Sequence, residues 1–391
     1  MNGLDIALVV ITALVAISGY VEGFVLGACA TLGLLAGAAV GVYGVPRVLN
    51  NFSPSVEVSF AALVLVVLLA SIGRTIGAIL GSKLRNQISW KPVRAVDALG
   101  GAVLAAVSVL VVAWVLGVAV SGARIPSVTS AVRGSQVLAK VDKAMPSGAD
   151  RALQAFNDVV NTDLFPRFLD PFVPERIRDT QPPDAATARL PQVKDAYNRI
   201  AKVTGVANCA RGLEGSGFVY AQQRVMTNAH VVAGVSSPRV EIDGHSYDAT
   251  VALFDPSVDI AVLYVPKLTA KPLVLDQGGR ADASAVVLGY PENGPFDAEP
   301  ARIRSEERLR GPDIYGDSTV TRRAFSIWAS VRPGNSGGPL LSPKGTVYGV
   351  VFAASVEDNR TGYVLTAGQV SADAEAGAKA TGEVSTGSCT R

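Results

Sequence analysis

Most of what this chain can fold into is decided in its first 120 residues, where long apolar segments follow one another almost without a break. They run at about Ile6–Tyr20, Phe24–Val45, Phe60–Leu80 and Ala102–Val120. A helix of about 20 apolar residues crosses a hydrocarbon core of about 30 Å, and a water-soluble domain rarely needs four such stretches in succession. Composition agrees with that reading. Hydrophobic residues make up 49 %, charged residues 17 % and aromatics 6 %, so the apolar excess is aliphatic. Lipid-spanning helices joined to something globular fit this mixture. A cleaved signal peptide is the rival reading for the first, shortest segment. Met1–Asp5 holds no Lys or Arg, however, and such a peptide needs a basic start.

Loop charges set an orientation. The third loop carries Lys83, Arg85, Lys91 and Arg94, the second only Arg47, and the first none. The basic loop is expected on the cytoplasmic side. Everything after Val120 then lies outside, whether or not the first segment spans. Arg74 lies within the third segment, where it either serves a function or snorkels to the headgroups. Gly27, Gly33, Gly37 and Gly41 form a small-residue stripe suited to close helix packing, within the bundle or in a dimer.

Beyond residue 121 the character changes. Residues 121–190 read as a connector, with a helical pattern over Ala149–Val160 and a proline-rich end through Pro182 and Pro183. Its Phe and Leu residues are expected to pack on a neighbouring surface. From about Pro191 to the end, short β-branched or alternating runs stand between Gly, Pro, Asn and Asp turns. Examples are SGFVYA, YDATVALF, DIAVLYV, ASAVVLGY and TGYVLT. That spacing predicts an all-β sandwich or pair of barrels. The organisation expected is therefore 1–120 membrane helices, 121–190 connector and 191–391 β domain.

Chemistry concentrates in RPGNSGGPL, Arg332–Leu340. A serine on a tight glycine loop can expose its hydroxyl. The N–H groups of Ser336 and Gly334 can then point into one small space and stabilise an oxyanion. Serine needs an adjacent base, and only two histidines exist. His230, in VMTNAHVV, lies where a predicted strand ends, whereas His245, in IDGHSYD, reads as a solvated turn residue. The base in turn needs a buried acid to orient it. Asp259 enters an apolar run in PSVDIAVLYV, and its competitor Asp255, beside Pro256, reads as a turn residue.

TNAHVV, DIAVL and GNSGGPL, in the order His, Asp, Ser, resemble the trypsin-like and HtrA-like serine proteases, over roughly residues 195–370. The resemblance implies two six-stranded β-barrels with a catalytic triad of His230, Asp259 and Ser336 between them. It also implies that Ser330 lies at the base of the first side-chain pocket, with Phe352, Ala353 and Ala354 along its wall. No acidic residue stands at that base, so a preference for Arg or Lys is not expected, and a medium apolar side chain is. HtrA-type members usually carry a peptide-sensing module after the protease. The chain ends at Arg391, so such regulation is not expected. LDIALVVITALVAISGYVEGF resembles the start of the colicin V production family. The two halves together resemble the mycobacterial and other actinobacterial acid-resistance periplasmic serine proteases. This implies a multi-pass protein of the bacterial cell membrane whose protease domain lies in the periplasm and serves acid and envelope stress.

Cys209 and Cys389 both lie on the expected outside, where thiols oxidise. A disulfide between them would close a loop of about 180 residues, worth roughly 5 kcal/mol in a chain-entropy account, and a bond so near the chain end could also tune activity. Cys29, in the second span, reads as a packed small residue. With two histidines and no CxxC, neither a metal site nor a cofactor is expected. A net charge of +2 without a basic stripe argues against nucleic acid. The expected partners are the lipid bilayer and protein or peptide substrates of the envelope, the chain's own connector among them. The competing class is a membrane scaffold or transport component whose β domain only binds.

Overall fold

A computed structural model describes residues 1–49, 56–121, 126–146, 172–209 and 211–390. The helical pattern read over Ala149–Val160 lies outside these. Two compact units emerge: Met1–Gly117 with Gly134–Met145, and Val118–Arg133 with Pro146–Arg391.

The first unit is helical. Helices α1 (Gly3–Glu22), α2 (Phe24–Leu49), α3 (Val56–Arg85) and α4 (Lys91–Ser121) are each long and apolar enough to span a membrane. They outrun the apolar segments because Lys and Arg are good helix formers, so charge at a span's end does not stop it. Residues read as loop thus become helix ends with work to do. Arg85 pairs with buried Asp97 at 2.9 Å and donates to the Val21 carbonyl at 2.8 Å, and Asp97 also accepts the Val25 N–H at 2.8 Å. At the N-terminus Asn2 and Asp5 form a capping box. The Asp5 carboxylate also accepts from Ser135 Oγ at 2.6 Å and the Val137 N–H at 3.1 Å, which docks helix α6 (Gln136–Ala144), the helix after short α5 (Pro126–Arg133), onto α1. Trp114 of α4 donates to Asp142 of α6 at 2.8 Å. The glycine stripe packs inside this unit. A Cβ on Gly33 would strike the Gly73 carbonyl of α3, and one on Gly37 the Leu69 carbonyl. Arg74 stays exposed on α3.

The second unit carries two β layers. The first is a seven-stranded antiparallel sheet in the order β5-β4-β1-β2-β3-β7-β6. Its strands are β1 (Ile200–Val206), β2 (Gly212–Ala221), β3 (Arg224–Thr227), β4 (Arg239–Ile242), β5 (His245–Asp248), β6 (Thr250–Asp255) and β7 (Ile260–Tyr264). The second is a closed six-stranded barrel in the order β10-β13-β12-β11-β8-β9. It comprises β8 (Ser284–Gly289), β9 (Asp297–Pro312), β10 (Thr319–Trp328), β11 (Pro339–Leu341), β12 (Val347–Ala354) and β13 (Thr361–Thr366). The first layer departs from the six-stranded barrel expected. Its edge strands β5 and β6 are separated by Ala249 alone, so the sheet curls until its edges meet, and the chain rather than a hydrogen-bonded ladder crosses the seam.

Each layer has its own core. Val203, Val219, Val225, Val240, Val251 and Leu263 fill the first, and Val287, Ile303, Ile327, Val351 and Val364 the second. A third cluster joins them, with Phe218, Met226 and Ile260 meeting Leu288, Phe352 and Tyr363. Full burial of each such side chain is worth about 1.5–3 kcal/mol. Helix α7 (Ser371–Lys379) closes the fold, and Ala374 joins that cluster. The described end of the connector lies along the second barrel. Arg178 and Arg304 exchange side chain-to-carbonyl bonds at 3.0 and 2.7 Å, and Arg302 donates to the Pro182 carbonyl at 3.1 Å. Phe172 is buried, and Glu175 accepts from Tyr363 Oη at 2.8 Å and the Val356 N–H at 3.2 Å. At the other end of the chain, Cys209 and Cys389 form a disulfide across 180 residues. The tail is pinned further where Gly234 N–H donates to the Thr386 carbonyl at 3.0 Å and Val384 N–H to the Val251 carbonyl at 2.9 Å.

Candidate active site

His230 sits in the one-turn helix Ala229–Val232 that β3 runs into. Asp259 ends the turn between β6 and β7. That turn is shaped by Asp255, whose carboxylate accepts the N–H groups of Ser257 at 2.7 Å and Val258 at 3.0 Å. Asp259 itself has φ +73°, a left-handed conformation that Asp tolerates better than most residues. This backbone setting turns the fully buried carboxylate onto the histidine. One oxygen accepts the His230 backbone N–H at 3.0 Å, and the other lies 2.8 Å from ring Nδ1. Asn228 steadies the same residue by donating to the Asp259 carbonyl at 2.8 Å. An ionised carboxylate only accepts, so Nδ1 carries the proton and the second ring nitrogen, Nε2, keeps its lone pair.

Ser336 comes from the other layer, on the loop between β10 and β11. That loop is held by the Asn335 N–H on the Arg332 carbonyl at 3.0 Å and the Gly337 N–H on the Val351 carbonyl at 2.8 Å. It is also stitched to the first sheet, since the Ser336 carbonyl accepts the Ser216 N–H of β2 at 2.8 Å. Gly337, at φ +84°, lies so close that a Cβ there would strike the Ser216 carbonyl and Thr227 Oγ1. The helix that bears His230 meets the same place. A Cβ on Gly215 would lie 2.6 Å from the Val231 side chain and 3.0 Å from the Ser336 carbonyl. Folding thus brings the His230–Asp259 pair and the serine loop to one seam between the layers.

The loop's backbone polarity is also set. The Pro333 carbonyl accepts the Glu292 N–H at 2.7 Å, so the N–H of Gly334, across the same planar peptide, points the opposite way. The Gly334 carbonyl is fixed in turn by Ser216 Oγ at 2.6 Å. Among the described residues the N–H groups of Gly334 and Ser336 have no protein partner.

The other expected residues are spread out. Ser330 is exposed, and its N–H donates to the Glu299 carboxylate at 3.3 Å. Phe352 occupies a bulge in β12 and packs into the cluster between the layers at 1 % exposure, Ala353 is buried, and Ala354 is half-buried. His245 lies exposed on β5, its Nδ1 beside the Asp243 carbonyl. Sequence reasoning missed Ser216, Glu299 and Arg322, whose buried guanidinium on β10 donates to the Ser257 and Val258 carbonyls of the Asp259 turn at 2.9 and 3.2 Å. Ser216 had a signal, since its hydroxyl is polar in an otherwise buried stretch of β2. Glu299 and Arg322 had none beyond a charged residue in a strand.

Comparison with known proteins bears on this geometry. Residues 215–350 match the model of the trypsin-like peptidase domain, and residues 4–146 that of the Colicin V production protein. The second match runs through α6, in keeping with its docking on α1. Over 391 residues the chain is 40 % identical to serine protease Rv3671c of Mycobacterium tuberculosis strain H37Rv, covering 99 % of this chain and 98 % of the relative. The chain belongs to the trypsin-like serine proteases. The crystal structure of the active form of the Rv3671c protease from M. tuberculosis is 46 % identical, with a TM-score of 0.54, and covers 57 % of this chain and 99 % of that one. Serine protease MT3772 of M. tuberculosis strain CDC 1551 matches at the same 40 % identity and coverage. This trypsin-like protease is associated with the membrane through its N-terminal helices.

Proposed function

We propose that this protein is an extracytoplasmic serine endopeptidase that cuts proteins of the cell envelope by acyl transfer, with His230, Asp259 and Ser336 as its triad. The observation that carries this reading is the two-point hold of Asp259 on His230 at the seam where the Ser336 loop docks. His230 Nε2 takes the proton of Ser336 Oγ as that oxygen attacks the scissile carbonyl. Asp259 holds the imidazole in the required tautomer and stabilises its charged form. The N–H groups of Gly334 and Ser336 receive the oxyanion. His230 then protonates the leaving amine, and water repeats the cycle to release the acid. Support for the oxyanion role comes from the outward turn of the Pro333 carbonyl and from two N–H groups without protein partners.

The basic loop of Lys83, Arg85, Lys91 and Arg94 supports a periplasmic protease domain. A role in acid and envelope stress follows from the resemblance of the two joined halves to the actinobacterial enzymes. On the substrate side, exposed Ser330 and half-buried Ala354 are the candidates for contact with the first side chain. A fluorophosphonate probe tests the triad. It is expected to modify Ser336 in folded, oxidised wild-type protein and to leave His230→Ala unmodified. Wild-type protein that stays unlabelled would overturn the assignment.

A further inference from the structure

Arg322 is among the largest fully buried side chains in the protein, at 1 % exposure. A guanidinium in that position carries a large desolvation cost, and burial lowers its proton affinity. Its hydrogen bonds explain where it is anchored. Nε donates to the Ser257 carbonyl at 2.9 Å and the Val258 carbonyl at 3.2 Å, and Nη1 donates to the Pro312 carbonyl at 3.0 Å. Ser257 and Val258 are the two residues before Asp259. The peptide that joins Val258 to Asp259 is therefore held at both ends. Its oxygen is bound by Arg322, and its N–H donates to the Asp255 carbonyl at 3.0 Å. That peptide sets the left-handed φ of Asp259, a conformation that persists only where the surroundings over-determine it.

The electrostatics point the same way. Asp259, Asp313 and Asp255 are the acidic groups whose charges act on Arg322. Asp255 spends its carboxylate on the Ser257 and Val258 amides, and Asp313 on the amides of Tyr315, Asp317 and Ser318. The Asp259 carboxylate is bound to His230 and has no exposure to water. Arg322 lies on β10, in the barrel that carries Ser336, whereas Asp259 and His230 belong to the first sheet. One buried cation thus reaches across the seam from the serine's layer and grips the turn that bears the acid.

We propose that Arg322 is a positioning residue for peptide hydrolysis: it fixes the Asp259 turn against the serine-bearing barrel and so keeps the buried carboxylate aimed at His230. This rests on the triad reading above. Removing the charge while keeping the volume, as in Arg322→Met, lets the turn relax and misdirects the base. A misplacement of that kind is expected to lower kcat by about 100-fold. KM stays close to wild type, because Arg322 is buried away from substrate.

The test uses full-length protein in detergent, with rates normalised to sites titrated by the fluorophosphonate. Arg322→Met is expected to lose kcat while KM stays at the wild-type value. Arg322→Lys, which keeps a donor for the turn, is expected to restore part of kcat. A merely structural role would lower the fraction of titratable sites and leave kcat of the remainder unchanged, which overturns the proposal. Where Arg322→Met yields no titratable sites, Arg322→Gln takes its place with the same expectations. Ser336→Ala and His230→Ala separate the two levels. If they keep activity, the triad reading fails, and if they lose it while Arg322→Met is unaffected, only the role of Arg322 fails.

Discussion

The helical unit and the β unit spend the same small aliphatic vocabulary in opposite ways. Between α2 and α3, glycines let backbone approach backbone, with Gly33 against Gly73 and Gly37 against Leu69. Lipid tails are as apolar as the side chains, so this unit gains little by hiding them and is held by close packing and a few polar ties such as Arg85–Asp97. In the β unit, Val, Ile and Leu are sealed from water in buried clusters, and glycines at the serine loop let the two layers meet. A run rich in Gly, Ala and Val therefore means contact between helices in one half and strands around a water-excluding core in the other.

Substitutions that strike one unit and spare the other sharpen this contrast. The largest effect is expected from Ser336→Ala, which should lower hydrolysis of a protein substrate by about 10⁴-fold or more. Its thermal unfolding should match wild type in both units, and a variant that unfolds earlier would show that Ser336 is structural. Replacing both Cys209 and Cys389 by Ser is expected to cost the β unit about 2–5 kcal/mol in urea unfolding. The helical signal in detergent should not move. Gly33→Val is expected to cost the helical unit about 1–3 kcal/mol by overpacking. Here the check is kcat per titrated site, which should stay at the wild-type value. A fall would mean that the two units are coupled more closely than their separate cores imply.

The smallest effect concerns pH. Burial, with Asp255 adding to it, raises the Asp373 carboxyl on α7 from the ordinary 3.8 to about 6. Folded protein therefore holds this proton more tightly than unfolded protein does, and stability falls as pH rises through that interval. Asp373→Asn removes the cost. It should melt above wild type at pH 7 and lose its advantage below about pH 4, where the carboxyl is protonated in both states. A constant offset across pH would mean that the effect is packing rather than charge.

Legibility in the sequence also divided by mechanism. The spans could be read because apolar length is a property of one segment, and α3 and α4 then extended past their apolar cores through Lys83, Arg85 and Lys91. His230, Asp259 and Ser336 could each be singled out because each stands in a short local motif. Contacts between distant segments left no such trace. Nothing around Asp5 announces that it will cap α6 some 130 residues later, and the pairing of Arg178 with Arg304 has no period or motif. The connector's proline-rich end reads as a linker for the same reason. Its hold on the barrel is made of single side chains on carbonyls, which composition does not register.

The stitch between the Ser336 carbonyl and the Ser216 N–H carries a consequence for biogenesis. The chain delivers the first sheet, with His230 and Asp259, before the barrel that brings Ser336. During synthesis the chain therefore passes through a stage that holds the His230–Asp259 pair but no serine loop seated beside it. The seam is complete only when the last strands close the barrel and the two layers meet. If His230, Asp259 and Ser336 act together as proposed, the order of the strands delays hydrolysis until the fold is complete.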